Sequence, residues 1–174
     1  NVLLDENLLP HICDFGISRE LKEDLQNSEQ AGPVTGEIGT PNWMAPELFS
    51  TDGYTNKVDV YAYGILLWEM LTGEVPFSGK QPFIIMQEIM RGERPKIPDD
   101  TPTGLRKLIT SCWAQNPDDR PTFAQIVKVL KNHKASFADC DDARVEEIFN
   151  SVKNMKTVSL QNAEHTNQQQ PQNF

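Results

Sequence analysis

Hydrophobic and polar positions divide the 174-residue chain into three regimes. At the start the pattern is short and strand-like. Val2 to Leu4 and Leu8 to Cys13 read as two strands joined by the polar turn Asp5-Glu6-Asn7. Pro10 lacks a backbone donor, so the second strand belongs at an edge or is irregular there. From Ile17 to about Met44 no period is sustained, and "NSEQAGPVTGEIGTP" is rich in Gly, Ser, Thr and Pro. That spacing predicts a long loop, and loops of this length in compact domains are usually functional or mobile.

After Ala45 the period becomes helical. "DVYAYGILLWEMLTG" is apolar nearly all round, which predicts a helix buried on most sides and ending near Gly73. "QPFIIMQEIMRG" predicts a second helix closed by Gly92, and Thr101-Pro102 supplies a cap and first-turn proline for "TGLRKLITSCW". In the latter, Leu105, Leu108, Ile109, Cys112 and Trp113 share one face. Thr122 and Gln125 form a capping-box pattern ahead of Phe123, Ile126, Val127 and Leu130. The same spacing recurs after Asp139 in Val145, Ile148, Phe149, Val152 and Met155. Beyond Thr157, "SLQNAEHTNQQQPQNF" has no hydrophobic face to offset the entropy of ordering and is expected to be disordered. The pattern therefore sets apart an additional helix, expected over 135–156, and a Gln/Asn-rich tail over 157–174.

Composition adds exclusions. Hydrophobic residues at 38% and charged residues at 24% suit a globular protein. A net charge of −9 repels phosphate backbones and anionic lipid, so nucleic acid is not an expected partner. The apolar run "YAYGILLW" is too short to span a bilayer, and no leader-like segment precedes it. Cys13, Cys112 and Cys140 lie far apart without a C-x-x-C pair, which argues against a zinc site or a disulfide framework. A reducing, cytoplasmic setting is the simplest expectation.

Chemistry enters through order and spacing. Asp14-Phe15-Gly16 alone is weak, but Asn1 stands thirteen residues before Asp14, and Ala45-Pro46-Glu47 follows in the order of the protein-kinase signature. With "GTPNWMAPE", "DVYAYGILLWEMLTGEVPF" and "CWAQNPDDRPTF", residues 1–134 resemble the large lobe of protein kinases of the tyrosine-kinase-like group. The resemblance implies a mainly α fold, a kinase-like large (C-terminal) lobe with a short N-terminal β-hairpin and without the small lobe. It also implies transfer of the ATP γ-phosphoryl group to protein Ser or Thr hydroxyls in signalling, with ATP and Mg²⁺ as cofactors.

Roles follow by resemblance. Asp14 is expected to chelate the magnesium bridging the phosphates and Asn1 a second magnesium, both through the hard oxygen donors that this ion prefers. Cys13 would line the nucleotide pocket as a small wall residue. Phe15 is expected to pack differently in active and inactive arrangements, or else to be plain core, and Gly16 to allow that rearrangement. Thr35, then Ser28, are the expected activation-loop phosphosites. Thr40 would position the acceptor from a docking loop, or simply form a turn. Asn42, rather than a basic residue, precedes Trp43, which favours Ser/Thr acceptors over Tyr. Glu47 and Arg120 are expected as a buried ion pair supporting the docking loop. Asp59 would accept hydrogen bonds from the catalytic loop or cap its helix. Trp68 and Trp113 are expected in the core.

By the same resemblance the chain starts inside the catalytic loop. It contains no G-x-G-x-x-G, and the strand lysine and catalytic aspartate would lie upstream of Asn1. Two functions follow: part of an active Ser/Thr kinase, with this chain inactive alone, or a non-catalytic binding module. A dual-specificity or tyrosine kinase is a further alternative.

Overall fold

The structure is a computed structural model. It describes residues 1–16, 18, 23–24, 27–28, 40–50, 53–132, 134–138, 140–141, 143–148 and 150. Two compact units emerge, Asn1–Ser18 with Asp139–Phe174, and Arg19–Ala138. These boundaries differ from the division at 134 that the kinase resemblance implies, and the 157–174 tail lies outside the described residues.

In the first unit, β1 (Val2–Leu4) pairs antiparallel with β2 (Pro10–Ile12), with Val2 opposite Ile12, Leu3 opposite His11 and Leu4 opposite Pro10. The second strand is shorter than its apolar pattern suggests. Leu8 and Asp14 sit at φ of 63° and 64°, and these left-handed residues confine the extended backbone between them. The polar turn is as expected and is organised by Asp5, whose Oδ1 accepts from the amides of Asn7 at 2.8 Å and Leu9 at 2.9 Å. Residues 143–148 and 150 are helical, with Asp141 at the N-cap accepting from the Arg144 amide at 3.1 Å. Val145 and Ile148 are half-buried; the rest of that predicted apolar series, Phe149, Val152 and Met155, lies outside the described residues.

The second unit is built around α1 (Lys57–Thr72), whose Val60, Tyr61, Gly64, Ile65, Leu67 and Trp68 are buried. It ends as predicted, at Gly73 with φ 69°. α2 (Pro82–Met90) starts on a proline and stops before Gly92, φ 89°. α3 (Thr103–Cys112) buries Leu105, Leu108, Ile109 and Cys112, and Trp113 beside them, the face its spacing predicts. α1 and α3 pack at Gly64, where a β-carbon would come within 2.8 Å of Cys112 Cβ and 3.1 Å of the Trp113 amide nitrogen.

Two local expectations change. Thr101 does not cap α3: its hydroxyl donates to Pro98 O at 2.7 Å, and Pro102 itself takes the N-cap position. On α4 (Phe123–Lys131) the capping box forms, Thr122 N to Gln125 Oε1 at 2.7 Å and Gln125 N to Thr122 Oγ1 at 3.3 Å. Its buried stripe, however, runs through Ile126, Val129 and Leu130, whereas Phe123 and Val127 are largely exposed. Val127 is rotated about 100° from Ile126, and Phe123, at the helix start, meets Tyr63 edge-on with ring centroids 5.7 Å apart.

Before α1 the chain forms two 3₁₀ turns, Pro41–Trp43 and Pro46–Phe49, inside the region expected to be loop and just after it. A short ladder of β3 (Glu23–Asp24) and β4 (Asn27–Ser28) also forms within that region. A third 3₁₀ turn, Pro117–Asp119, precedes Arg120.

Candidate functional site

The predicted site residues fall in both units. In the first, the hairpin register brings the chain around Asn1 back beside Cys13. The Cys13 amide donates to Asn1 O at 2.9 Å, and its thiol to the same oxygen at 3.3 Å. Asp14 follows in left-handed backbone, and its carboxylate lies over Gly16, where a β-carbon would come 3.4 Å from Oδ1. Among the described residues neither the Asn1 side chain nor the Asp14 carboxylate has a protein partner, so both keep their oxygen lone pairs. Phe15 is 67% exposed and is not a core residue here.

At the other end of the hairpin Asp5 also faces His11, Nε2 to Oδ2 at 3.0 Å. That contact, then the backbone amides, holds the Asp5 carboxyl below its ordinary pKa. Sequence reading gave Asp5 only as a turn residue. Its Asp-x-Asn pattern was the available signal for the side-chain-to-backbone clasp.

In the second unit Thr40 is exposed at the start of the Pro41–Trp43 turn, and its hydroxyl makes no capping bond. It stands on the rim of an open cleft of about 580 Å³, lined also by Pro41, Val75, Phe77, Pro82 and Ile85. The turn is fixed from below. Asn42 Nδ2 donates to Pro76 O at 2.6 Å, and Trp43 Nε1 to Glu69 Oε2 of α1 at 2.9 Å.

Glu47 and Arg120 form a two-pronged ion pair, Nη1 to Oε1 at 2.6 Å and Nη2 to Oε2 at 2.9 Å, with the Arg120 side chain fully buried. The remaining guanidinium protons are spent on carbonyls: Nε on Ala114 at 2.9 Å, Nη1 on Lys57 at 2.9 Å and Nη2 on Gln115 at 3.4 Å. Lys57 Nζ in turn donates to Arg120 O. Every donor direction of the buried charge is thereby used, which is the condition for such a charge to be tolerated.

Tyr61 belongs to an apolar run in the sequence, yet two guanidinium groups approach its ring, Arg94 at 4.9 Å and Arg120 at 5.2 Å from the centroid. Burial pushes its hydroxyl up to about 12 despite both cations, and that hydroxyl has no partner among the described residues. Arg94 also ties the segment after α2 to the end of α3, donating to Trp113 O at 3.0 Å and to Gln115 Oε1 at 2.7 Å. No local pattern signals either contact, because the partners are far apart in sequence.

Asp59 occupies the first turn of α1, where its amide bonds Asn56 O. Its side chain has no partner among the described residues and does not serve as the N-cap. The residue is exposed as a whole, but crowding of its carboxyl removes enough water to raise its pKa. Ser28 lies in β4; Thr35 lies outside the described residues.

The profile of the family described as protein tyrosine and serine/threonine kinase matches residues 1–130. The chain belongs to the protein kinase family. Its helical unit, with the short N-terminal hairpin, is the fold of a kinase large lobe. Similar curated proteins include a probable serine/threonine-protein kinase of Dictyostelium discoideum, 43% identical over 131 residues, which are 75% of this chain and 14% of that protein. Serine/threonine-protein kinase STY17 of Arabidopsis thaliana is 40% identical over 131 residues, 75% of this chain and 22% of the relative. Dual specificity protein kinase shkD of Dictyostelium discoideum is 42% identical over 147 residues, 83% of this chain and 19% of the relative. The chain thus spans less than a quarter of the length of these relatives.

Kinases work with magnesium, and the donors present suit it. Magnesium is usually held by one or two protein oxygens, with phosphate and water completing six ligands. Asn1 and Asp14 offer two such hard donors, and no cluster of three His, Cys, Asp or Glu side chains exists among the described residues to form an all-protein cage. No helix among the described residues is long and apolar enough to cross a membrane.

Proposed function

We propose that this chain supplies the metal-binding and acceptor-docking parts of an ATP-dependent kinase that phosphorylates Ser and Thr residues of proteins. The observation that carries the proposal is the open end of the hairpin, where Asp14 follows directly after the Asn1–Cys13 contact with its carboxylate uncommitted. Asn1 and Asp14 would hold magnesium, which when bound neutralises charge on the transferring phosphoryl group. Cys13, its thiol turned to Asn1 O, is a small half-buried neighbour suited to the wall of a nucleotide site.

Thr40 would meet the acceptor with its free hydroxyl. The cleft beside it, mostly apolar but bordered by Asn42, Ser78 and Lys80, suits a hydrophobic side chain flanking the acceptor residue. Glu47 and Arg120 hold the adjacent Pro46–Phe49 turn without taking part in the reaction. Thr35 and Ser28 remain the proposed phosphosites of the intervening segment, where an added phosphate would pair with cationic groups. Acceptance of both Tyr and Ser/Thr is a second reading, favoured by the name of one relative, a dual specificity kinase.

The test uses the complete kinase that carries this sequence. Asp14→Asn should lower phosphotransfer by at least about a hundredfold, as for loss of a transition-state electrostatic contact, while binding of the protein substrate persists. Phosphoamino-acid analysis of the products should show phosphoserine and phosphothreonine. An Asp14→Asn kinase of normal rate would overturn the metal assignment, and phosphotyrosine alone would overturn the acceptor assignment. The 174-residue chain by itself should transfer no phosphate, since it contains neither a Gly-rich loop nor the strand lysine and catalytic aspartate expected of the family.

A further inference from the structure

The hairpin carrying Asn1 and Asp14 has an unusual problem. All six residues of β1 and β2 are exposed, so no buried face selects one register over a slipped one. Register in a two-stranded ribbon is then set by its turn, and a one-residue slip would send every side chain to the opposite face. Because Asn1 and Asp14 flank the open end, such a slip would separate them.

Four side-chain contacts converge on that turn. Asp5 Oδ1 fixes the amides of Asn7 and Leu9, and His11 closes over Asp5 Oδ2. The fourth comes from more than a hundred residues away: Arg144 Nη2 donates to Asn7 O at 3.2 Å. The peptide groups of Asn7 are thus held on both sides, its N–H by Asp5 and its C=O by Arg144. Arg144 is itself prepared for this contact. Its amide is capped by Asp141 and its Nη1 pairs with Glu147 Oε2 at 2.7 Å, so the helix start and the guanidinium are oriented together. Arg144 lies beyond residues 1–130 that match the kinase family, although the similarity to dual specificity protein kinase shkD extends past that limit.

We infer that the helix around 143–148 is a clamp on the hairpin turn, and that Arg144 is a positioning residue that fixes the register placing Asn1 beside Cys13 and Asp14. The inference rests on the reading of Asn1 and Asp14 as metal-holding residues only for its functional consequence. The register itself is measurable without metal.

The test compares the 174-residue chain with its Arg144→Gln, Arg144→Lys and Asp14→Asn variants. Amide hydrogen exchange is followed at Asn7, Leu9 and Cys13, and Mn²⁺ is the paramagnetic probe for broadening at Asn1 and Asp14. Losing one net hydrogen bond at an exposed turn should speed exchange at all three amides by about three- to tenfold in Arg144→Gln. Arg144→Lys, which keeps a cationic donor of comparable reach where the shorter, neutral Gln does not, should recover part of it, with exchange in α1 and α3 unchanged. Mn²⁺ broadening should weaken by a similar factor in Arg144→Gln and vanish in Asp14→Asn. Unchanged Cys13 exchange in Arg144→Gln overturns the clamp, as does acceleration confined to Asn7. If Mn²⁺ broadens neither Asn1 nor Asp14 in the unaltered chain, the metal reading fails while Cys13 exchange still decides the clamp.

Discussion

Arg120 shows how one side chain can carry several obligations. It neutralises Glu47, satisfies the carbonyls of Ala114, Lys57 and Gln115, and covers one face of Tyr61. Arg120→Met should destabilise the chain by about 3–5 kcal/mol, the range for breaking a buried pair and stranding its partner. Glu47→Met alone should cost the same order, and the double variant less than the sum of the two. Urea midpoints for the three proteins check this; strict additivity would mean that the two charges do not compensate each other. Asp59 gives a pH signature of opposite character. Its position in the first turn of α1 should favour the charged form, yet the pKa lies above the ordinary 3.8 because desolvation dominates. The folded state then binds the proton more tightly than the unfolded state, so stability falls as pH rises from 3.8 through the raised value. Asp59→Asn should remove that part of the fall, seen as a flatter urea midpoint across that window; parallel profiles would refute it.

Among the elements, α1 and α3 meet at a tight junction. Gly64 lets the two backbones approach, and an added methyl would meet Cys112 Cβ and backbone at Trp113, neither of which is a flexible chain end. Gly64→Ala should therefore cost about 1–3 kcal/mol, the usual penalty of overpacking, despite the better helix propensity of Ala. A thermal midpoint at or above that of the unaltered chain would show that the helices can separate freely. These helices were legible in the sequence because their signals are local: the i, i+3, i+4 spacing in α3, the Gly73 stop, the Thr122–Gln125 box. Thr101 misled because a threonine before a proline has the composition of a cap, while its hydroxyl found a nearer acceptor in Pro98 O. The limits of β2 were missed because Leu8 and Asp14 adopt left-handed backbone, which a leucine does not advertise and an aspartate permits without specifying.

At the scale of the molecule, the family and its mainly helical fold could be read from four short motifs. Part of the candidate site could be read as well. Glu47 and Arg120 pair at the distance of a strong ion pair, while Asp14 and Thr40 present polar groups without partners among the described residues. What the sequence withheld is everything that depends on distant partners: the approach of Arg94 and Arg120 to the Tyr61 ring, the bonds from Asn42 and Trp43 that seat the docking turn, and the reach of Arg144 to Asn7. None has a period or a motif, since each joins segments that only the folded topology brings together.

The Glu47–Arg120 pair also spans 73 residues of chain. Closing so long a loop is entropically expensive and is repaid only after the intervening helices have docked. The bond should therefore form late, on the native side of the folding barrier. Its loss should leave the refolding rate nearly unchanged and appear almost wholly as faster unfolding. The Pro46–Phe49 turn would then owe its persistence to a latch that closes last and opens first, and damage at Arg120 would shorten the lifetime of the folded turn by the same factor by which it lowers its population.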